Sequence, residues 1–106
     1  MNKFMRIMVF FDLPVKTKAE RRNATRFRSF LLQDGYHMIQ YSVYARVCNG
    51  MDAVHKHKAR LRANLPENGS IRALVITEKQ YESIEIMLGA LTEADDSFQC
   101  EQLSIF

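Results

Sequence analysis

Asp12 closes a near-continuous apolar run, residues 4–11, and is followed at once by Leu13 and Pro14. Sheets place ligands where buried strands run out, and a carboxylate there suits a hard divalent cation, Mg²⁺ or Mn²⁺. One carboxylate per chain is a thin metal site. Mg²⁺, however, keeps several waters and often takes only one or two carboxylates. A two-fold dimer that faced two Asp12 side chains across its axis would satisfy it. The competing reading is a turn-forming aspartate ahead of Leu-Pro. No general base stands out; Tyr36, Tyr41 and Ser42 are candidates for positioning a water, and the sequence selects none of them.

The second chemical feature is a cluster of arginines, Arg21, Arg22, Arg26 and Arg28. On a helix they span about 11 Å of axis, and the expected apolar stripe puts them on the opposite face together with Lys18. Arginine takes phosphate bidentately, so this face is a candidate for contacting a nucleic-acid backbone. The plainer alternative is a solvated helix face, although Glu20 is the only acid near enough to neutralise it. A second basic stretch holds His55, Lys56, His57, Lys58, Arg60 and Arg62. His55 and His57 are two apart, point in different directions on a helix and make no metal pair; both read as surface residues. There is no Ser-His-Asp arrangement, no Gly-rich phosphate loop and no Gly-aromatic strand signature of the RNA-recognition module. Tyr41, Tyr44 and the phenylalanines therefore read as core or dimer surface rather than base-stacking platforms. Cys48 and Cys100 have no zinc spacing.

The charge distribution supports a polyanionic partner. The 106 residues carry a net charge of only +3, but residues 1–62 hold 13 Lys/Arg against 4 Asp/Glu while residues 63–106 hold 2 against 8. A basic first half points to nucleic acid, unless the acidic half simply neutralises it in the fold. At 47% hydrophobic and 25% charged the chain reads as one small domain, residues 1–106, with a core modest enough for oligomerisation to help. The apolar run near the start is too short for a signal segment or a membrane span, and two free thiols predict a reducing cytoplasm.

These residues need positioning elements. Residues 4–11 read as a central strand ended by Asp12-Leu13-Pro14. Thr17-Lys18-Ala19-Glu20 is a capping box, so a helix starts at Thr17; Ala24, Phe27 and Leu31 form its apolar stripe and Gly35 its C-cap. Residues 36–47 read as two short strands reversing near residues 40–42. Met51, Val54, Leu61 and Leu65 predict a second helix stopped by Pro66. A strand over 71–77 follows. Thr77-Glu78-Lys79-Gln80 is a second capping box, and Tyr81, Ile84, Leu88 and Leu91 predict a short helix ending near Gly89. Residues 92–97 form an acidic loop, and 98–106 a weakly alternating last strand. The class is α+β: a ferredoxin-like β-α-β-β-α-β order with an extra short helix and a C-terminal strand over 97–106, an expected interface.

Four segments, in order, carry a resemblance: Phe11-Asp12 with Leu13-Pro14; Arg21-Arg22 with Arg26-Phe27-Arg28-Ser29-Phe30-Leu31; Asp34-Gly35-Tyr36 leading into Gln40-Tyr41-Ser42-Val43-Tyr44; and Gly69-Ser70-Ile71-Arg72 leading into Ile76-Thr77-Glu78-Lys79-Gln80-Tyr81. Through them the chain resembles, over almost its whole length, the small CRISPR-associated adaptation endonuclease family, second in its series. It looks most like members from loci with a single-protein Cas9-type effector. The resemblance implies a homodimer in which Asp12 holds a divalent metal, Mg²⁺ or Mn²⁺, and the two copies of Asp12 face each other. It implies a metal-dependent nuclease on RNA or double-stranded DNA. It also implies a role in spacer acquisition, with the dimer holding duplex DNA between two dimers of the CRISPR integrase partner. The terminal strand would pair with the neighbouring protomer or dock the integrase.

Three readings follow: a duplex-binding scaffold of the integration complex, a metal-dependent phosphodiesterase at Asp12, and a toxin-like ribonuclease of the same architecture. No membrane partner is expected under any of them.

Overall fold

A computed structural model describes residues 3–92. The chain runs β1 (Phe4–Asp12), α1 (Lys18–Gln33), β2 (His37–Gln40), β3 (Val43–Asn49), α2 (Met51–Arg62), β4 (Ser70–Thr77) and α3 (Glu78–Glu82). The four strands form one sheet in the order β2-β3-β1-β4, antiparallel throughout. This is the ferredoxin-like arrangement expected from the element order. The last strand and the acidic loop from residue 93 onward lie outside the described residues, as does Cys100.

β1 is central because both of its faces are covered. Ile7, Val9 and Phe11 point into a core with Phe27 and Leu31 of α1, Val54 and Leu61 of α2, and Tyr36, Tyr44 and Cys48. Phe11 meets Phe27 edge-on at 5.2 Å between ring centroids, a geometry that adds about 0.5–1.5 kcal/mol to the area it buries. On the other face Met8, Ala45 and Tyr81 form a smaller cluster. Between the two clusters' reach, Phe10 and Leu74 remain 37% and 50% exposed on the sheet.

Both capping boxes form. The Thr17 side chain accepts from the Glu20 N–H, and Glu20 Oε1 accepts from Thr17 N–H at 2.9 Å and Lys16 N–H at 3.0 Å. α1 ends in a Schellman arrangement: Gly35 N–H donates to the Leu32 carbonyl and Tyr36 N–H to the Leu31 carbonyl, with Gly35 at φ 91°. Gly35 is thus the residue after the cap, and Asp34 is the cap itself.

Two boundaries differ from expectation. α2 stops at Arg62, and Leu65 lies beyond it, half-exposed. α3 stops at Glu82 instead of running through Leu88 and Leu91. Its last turn tightens, with Ser83 N–H bonding to the Gln80 carbonyl and Ile84 N–H to that of Tyr81, and the Ser83 hydroxyl also donates to the Gln80 carbonyl at 2.6 Å. Ile84, Ile86, Met87 and Leu88 stay largely exposed. Without an apolar surface to cover, so short a helix does not propagate. Among the described residues, no helix is long and apolar enough to cross a membrane.

Candidate nucleic-acid interface

Asp12 is the last residue of β1 and is exposed. The strand's alternation puts Ile7, Val9 and Phe11 against the helices, so Met8, Phe10 and Asp12 lie on the opposite face. Two turns frame this end of β1. On one side Asp12 is paired with Ser70 of β4. The preceding Gly69 has φ 113°, and a Cβ there would stand 2.8 Å from the Asp12 carbonyl oxygen and 2.6 Å from the Leu13 side chain, so only glycine lets the backbones approach. On the other side Phe11 N–H donates to the Ser42 carbonyl at 3.0 Å, tying the β2–β3 turn to the residue before Asp12. Among the described residues, no three His, Cys, Asp or Glu side chains cluster to hold a metal. The donors Asp12 offers are hard carboxylate oxygens. These fit Mg²⁺ or Mn²⁺ completed by water and a second chain, and do not fit a closed single-chain site.

The arginines divide. Lys18, Arg21, Arg22, Thr25 and Arg26 line one shallow, open surface of α1. The Glu20 carboxylate is hydrogen-bonded to the backbone at the helix start and does not line this surface. Arg21 is itself anchored, donating from Nη1 to the carbonyls of Val15 and Lys16. Arg28 does not join this face. It follows Ala24 by four residues, which places it only about 40° around the helix from the apolar stripe rather than opposite it. Its guanidinium instead lies over the Tyr41 ring at 4.8 Å and the Phe11 ring at 5.5 Å.

The sequence pattern did not disclose a buried polar cluster behind the arginine helix. Asp34, at the end of α1, accepts from Arg60 Nη1 at 2.9 Å and sits 2.8 Å from His57 Nδ1; the Asp34 and His57 side chains are 7% and 4% exposed. Arg46 Nη1 of β3 donates to the Asp34 backbone carbonyl. His57 is therefore not a surface residue. The signal was available: Val54, His57 and Leu61 fall at i, i+3 and i+7, the buried face of α2. The cluster ties α1 to α2 and so sets the attitude of the basic face.

Burial alone would raise the Asp34 pKa, but the hydrogen bonds and charges of His57 and Arg60 outweigh it and hold the carboxyl below its ordinary value of 3.8. A folded-state value below the unfolded one means the unfolded chain binds more protons in between. The contribution is therefore present above the unfolded value and is lost as pH falls through the folded one. Denaturant titrations across pH 7 to 3 are expected to show Asp34→Asn less stable than wild type at neutral pH. The difference should shrink below about pH 4; a difference constant with pH would remove ionised Asp34 from the clamp. Burial likewise pushes the Cys48 thiol up, against the opposing effect of Arg46, and it pushes the Tyr36 phenol up. Neither group is poised for reaction, and Tyr36, 1% exposed, cannot position a water at the surface.

Comparison with known proteins bears on this geometry. The profile of the family described as CRISPR associated protein Cas2 matches residues 5–84, which take in α1, α2, α3 and every described strand but for the first residue of β1. A protein of Acidovorax ebreus named CRISPR-associated endoribonuclease Cas2 is 52% identical over 102 residues, covering 96% of this chain and all of that one. A Campylobacter jejuni protein of the same name is 42% identical over 90 residues, 85% of this chain and 63% of its own length. A crystal structure titled as that of Cas2 superposes with a TM-score of 0.58 at 15% identity, covering 86% of this chain and 92% of the other, a likeness of fold alone.

Proposed function

Because the chain belongs to the Cas2 family, we propose that it is a spacer-acquisition subunit: a homodimer that holds duplex DNA against the α1 face and bridges the CRISPR integrase partner. The observation that carries this reading is the open surface of Lys18, Arg21, Arg22 and Arg26, left without a carboxylate of its own. Four cations along one helix do not serve its stability, since like charges at i and i+4 repel, and they suit a polyanionic backbone. Dimerisation through the sheet face is supported by Phe10 and Leu74, exposed on the same face of the sheet as Asp12. That pairing would bring two Asp12 carboxylates toward one axis.

The named relatives are endoribonucleases. On that ground a second activity is proposed at Asp12, a metal-dependent phosphodiester cleavage. Bound there, Mg²⁺ or Mn²⁺ would polarise the phosphate and lower the pKa of a coordinated water. The chain's own part is to present Asp12 at a fixed strand end, with Gly69 admitting the close approach of β4 and the Ser42 carbonyl fixing Phe11. An independently acting ribonuclease, including a toxin-like one, is the alternative use of that same edge.

The test of the scaffold reading is salt-dependent duplex binding. Arg22→Ala with Arg26→Ala is expected to weaken binding to all duplex sequences alike. Its plot of log affinity against log salt should be shallower by about 2 for two lost phosphate contacts. Unchanged affinity at low salt would take α1 out of the interface.

A further inference from the structure

Three features meet at the turn between β2 and β3, two of them in the turn and one on α1 behind it. Tyr41 stands at its tip 75% exposed, whereas Tyr36, Tyr44 and Tyr81 are at most 5% exposed. Ser42 has φ 67°, a left-handed conformation that costs a residue with a Cβ about 1–2 kcal/mol and that glycine would adopt freely. Beneath the turn lies Arg28, over both Tyr41 and Phe11, with its Nε buried and without an acceptor among the described residues. The result is an aromatic ring supported from behind by a guanidinium and open in front. Its turn is hydrogen-bonded to the residue before Asp12.

We infer that Tyr41, backed by Arg28, is a positioning residue that stacks on one unpaired nucleobase of a strand lying at the Asp12 edge. This rests on the proposal that the edge acts on nucleic acid, and deepens it by naming the group that would fix the strand's place there. An open aromatic face is matched by a base whose own faces are free, which a base inside a duplex is not. The guanidinium behind the ring adds attraction for the phosphate of the same nucleotide. The arginines thereby take separate roles, with Arg22 and Arg26 facing a backbone along α1 and Arg28 supporting the ring.

The experiment compares wild type, Tyr41→Phe and Tyr41→Leu. The probes are an unstructured RNA of about ten nucleotides carrying one 2-aminopurine, and a blunt DNA duplex. Wild type and Tyr41→Phe are expected to quench the 2-aminopurine on binding. Tyr41→Leu should lose the quenching, and its ratio of single-strand to duplex affinity should fall about tenfold or more. Three results would overturn the inference: no single-strand binding by wild type, an unchanged ratio in Tyr41→Leu, or parallel loss on both probes with a fall in molecular mass, which would make Tyr41 a dimer contact. Failure of the reading it rests on looks different: wild type would quench the probe as expected, yet Asp12→Ala would leave metal-dependent cleavage of that RNA unchanged.

Discussion

Glu78→Ala is expected to destabilise the protein by about 3–5 kcal/mol, the amount typical of breaking a buried ion pair by removing one partner. Arg6 and Glu78 are each 1% exposed and pair in a two-pronged geometry, Nε to Oε2 at 2.7 Å and Nη2 to Oε1 at 2.9 Å. The guanidinium also lies 3.9 Å from the centre of the Tyr81 ring. Arg6 stands on the central strand, on the sheet face away from α1 and α2, and Glu78 opens α3 immediately after β4. Removing the carboxylate takes both of these hydrogen bonds from a buried guanidinium, and against a total stability of about 5–15 kcal/mol that loss is severe. The pair as a whole is a different matter, because desolvation offsets most of its attraction. Arg6→Met with Glu78→Met should recover most of the lost stability in urea titrations. A double variant as unstable as Glu78→Ala would show that the site needs its charges and not merely their balance.

That ion pair also shows where sequence reading reaches its limit. Local signals were legible. The two capping boxes at Thr17 and Thr77 and the apolar run ending at Asp12 each depend on neighbours within four residues and form as read, and the reversal at Gly35 forms one residue past the cap, which is Asp34. Partners brought together by the sheet were not legible. Arg6 meets Glu78 across 72 positions, and Asp34 meets His57 across 23. The end of α3 failed for a related reason. The spacing of Tyr81, Ile84, Leu88 and Leu91 describes a helix only if something covers their common face, and within the described residues Ile84 and Leu88 are 50% and 96% exposed. At the candidate site the sequence identified Asp12 and the arginines by type. The spacing from Ala24 already takes Arg28 off the opposite face, but its contact with the Tyr41 ring was not legible, because that follows from the β2–β3 turn reaching back over the end of β1.

The sharpest test of chemistry at the strand end is Asp12→Ala. Asp12 is exposed and caps no helix, so the variant should fold as wild type does, which denaturation will report. If a divalent ion at Asp12 supplies several kcal/mol of transition-state stabilisation, metal-dependent cleavage should fall by about a thousandfold, and excess chelator should reduce wild type to the same level. Arg22→Ala with Arg26→Ala is the contrasting variant. It should weaken substrate binding while leaving the single-turnover rate at saturating substrate little changed, because those side chains lie on α1 and not at the β1 end. Cleavage that survives both Asp12→Ala and chelator would belong to another site or another protein. Spacer integration with the cognate integrase then separates the two uses of the fold. Normal integration by Asp12→Ala would make the protein a duplex-holding scaffold whose nuclease edge is dispensable there. Loss of integration with duplex binding intact would make the metal at Asp12 part of the integration mechanism, and the turn-forming role of that aspartate would no longer suffice to explain it.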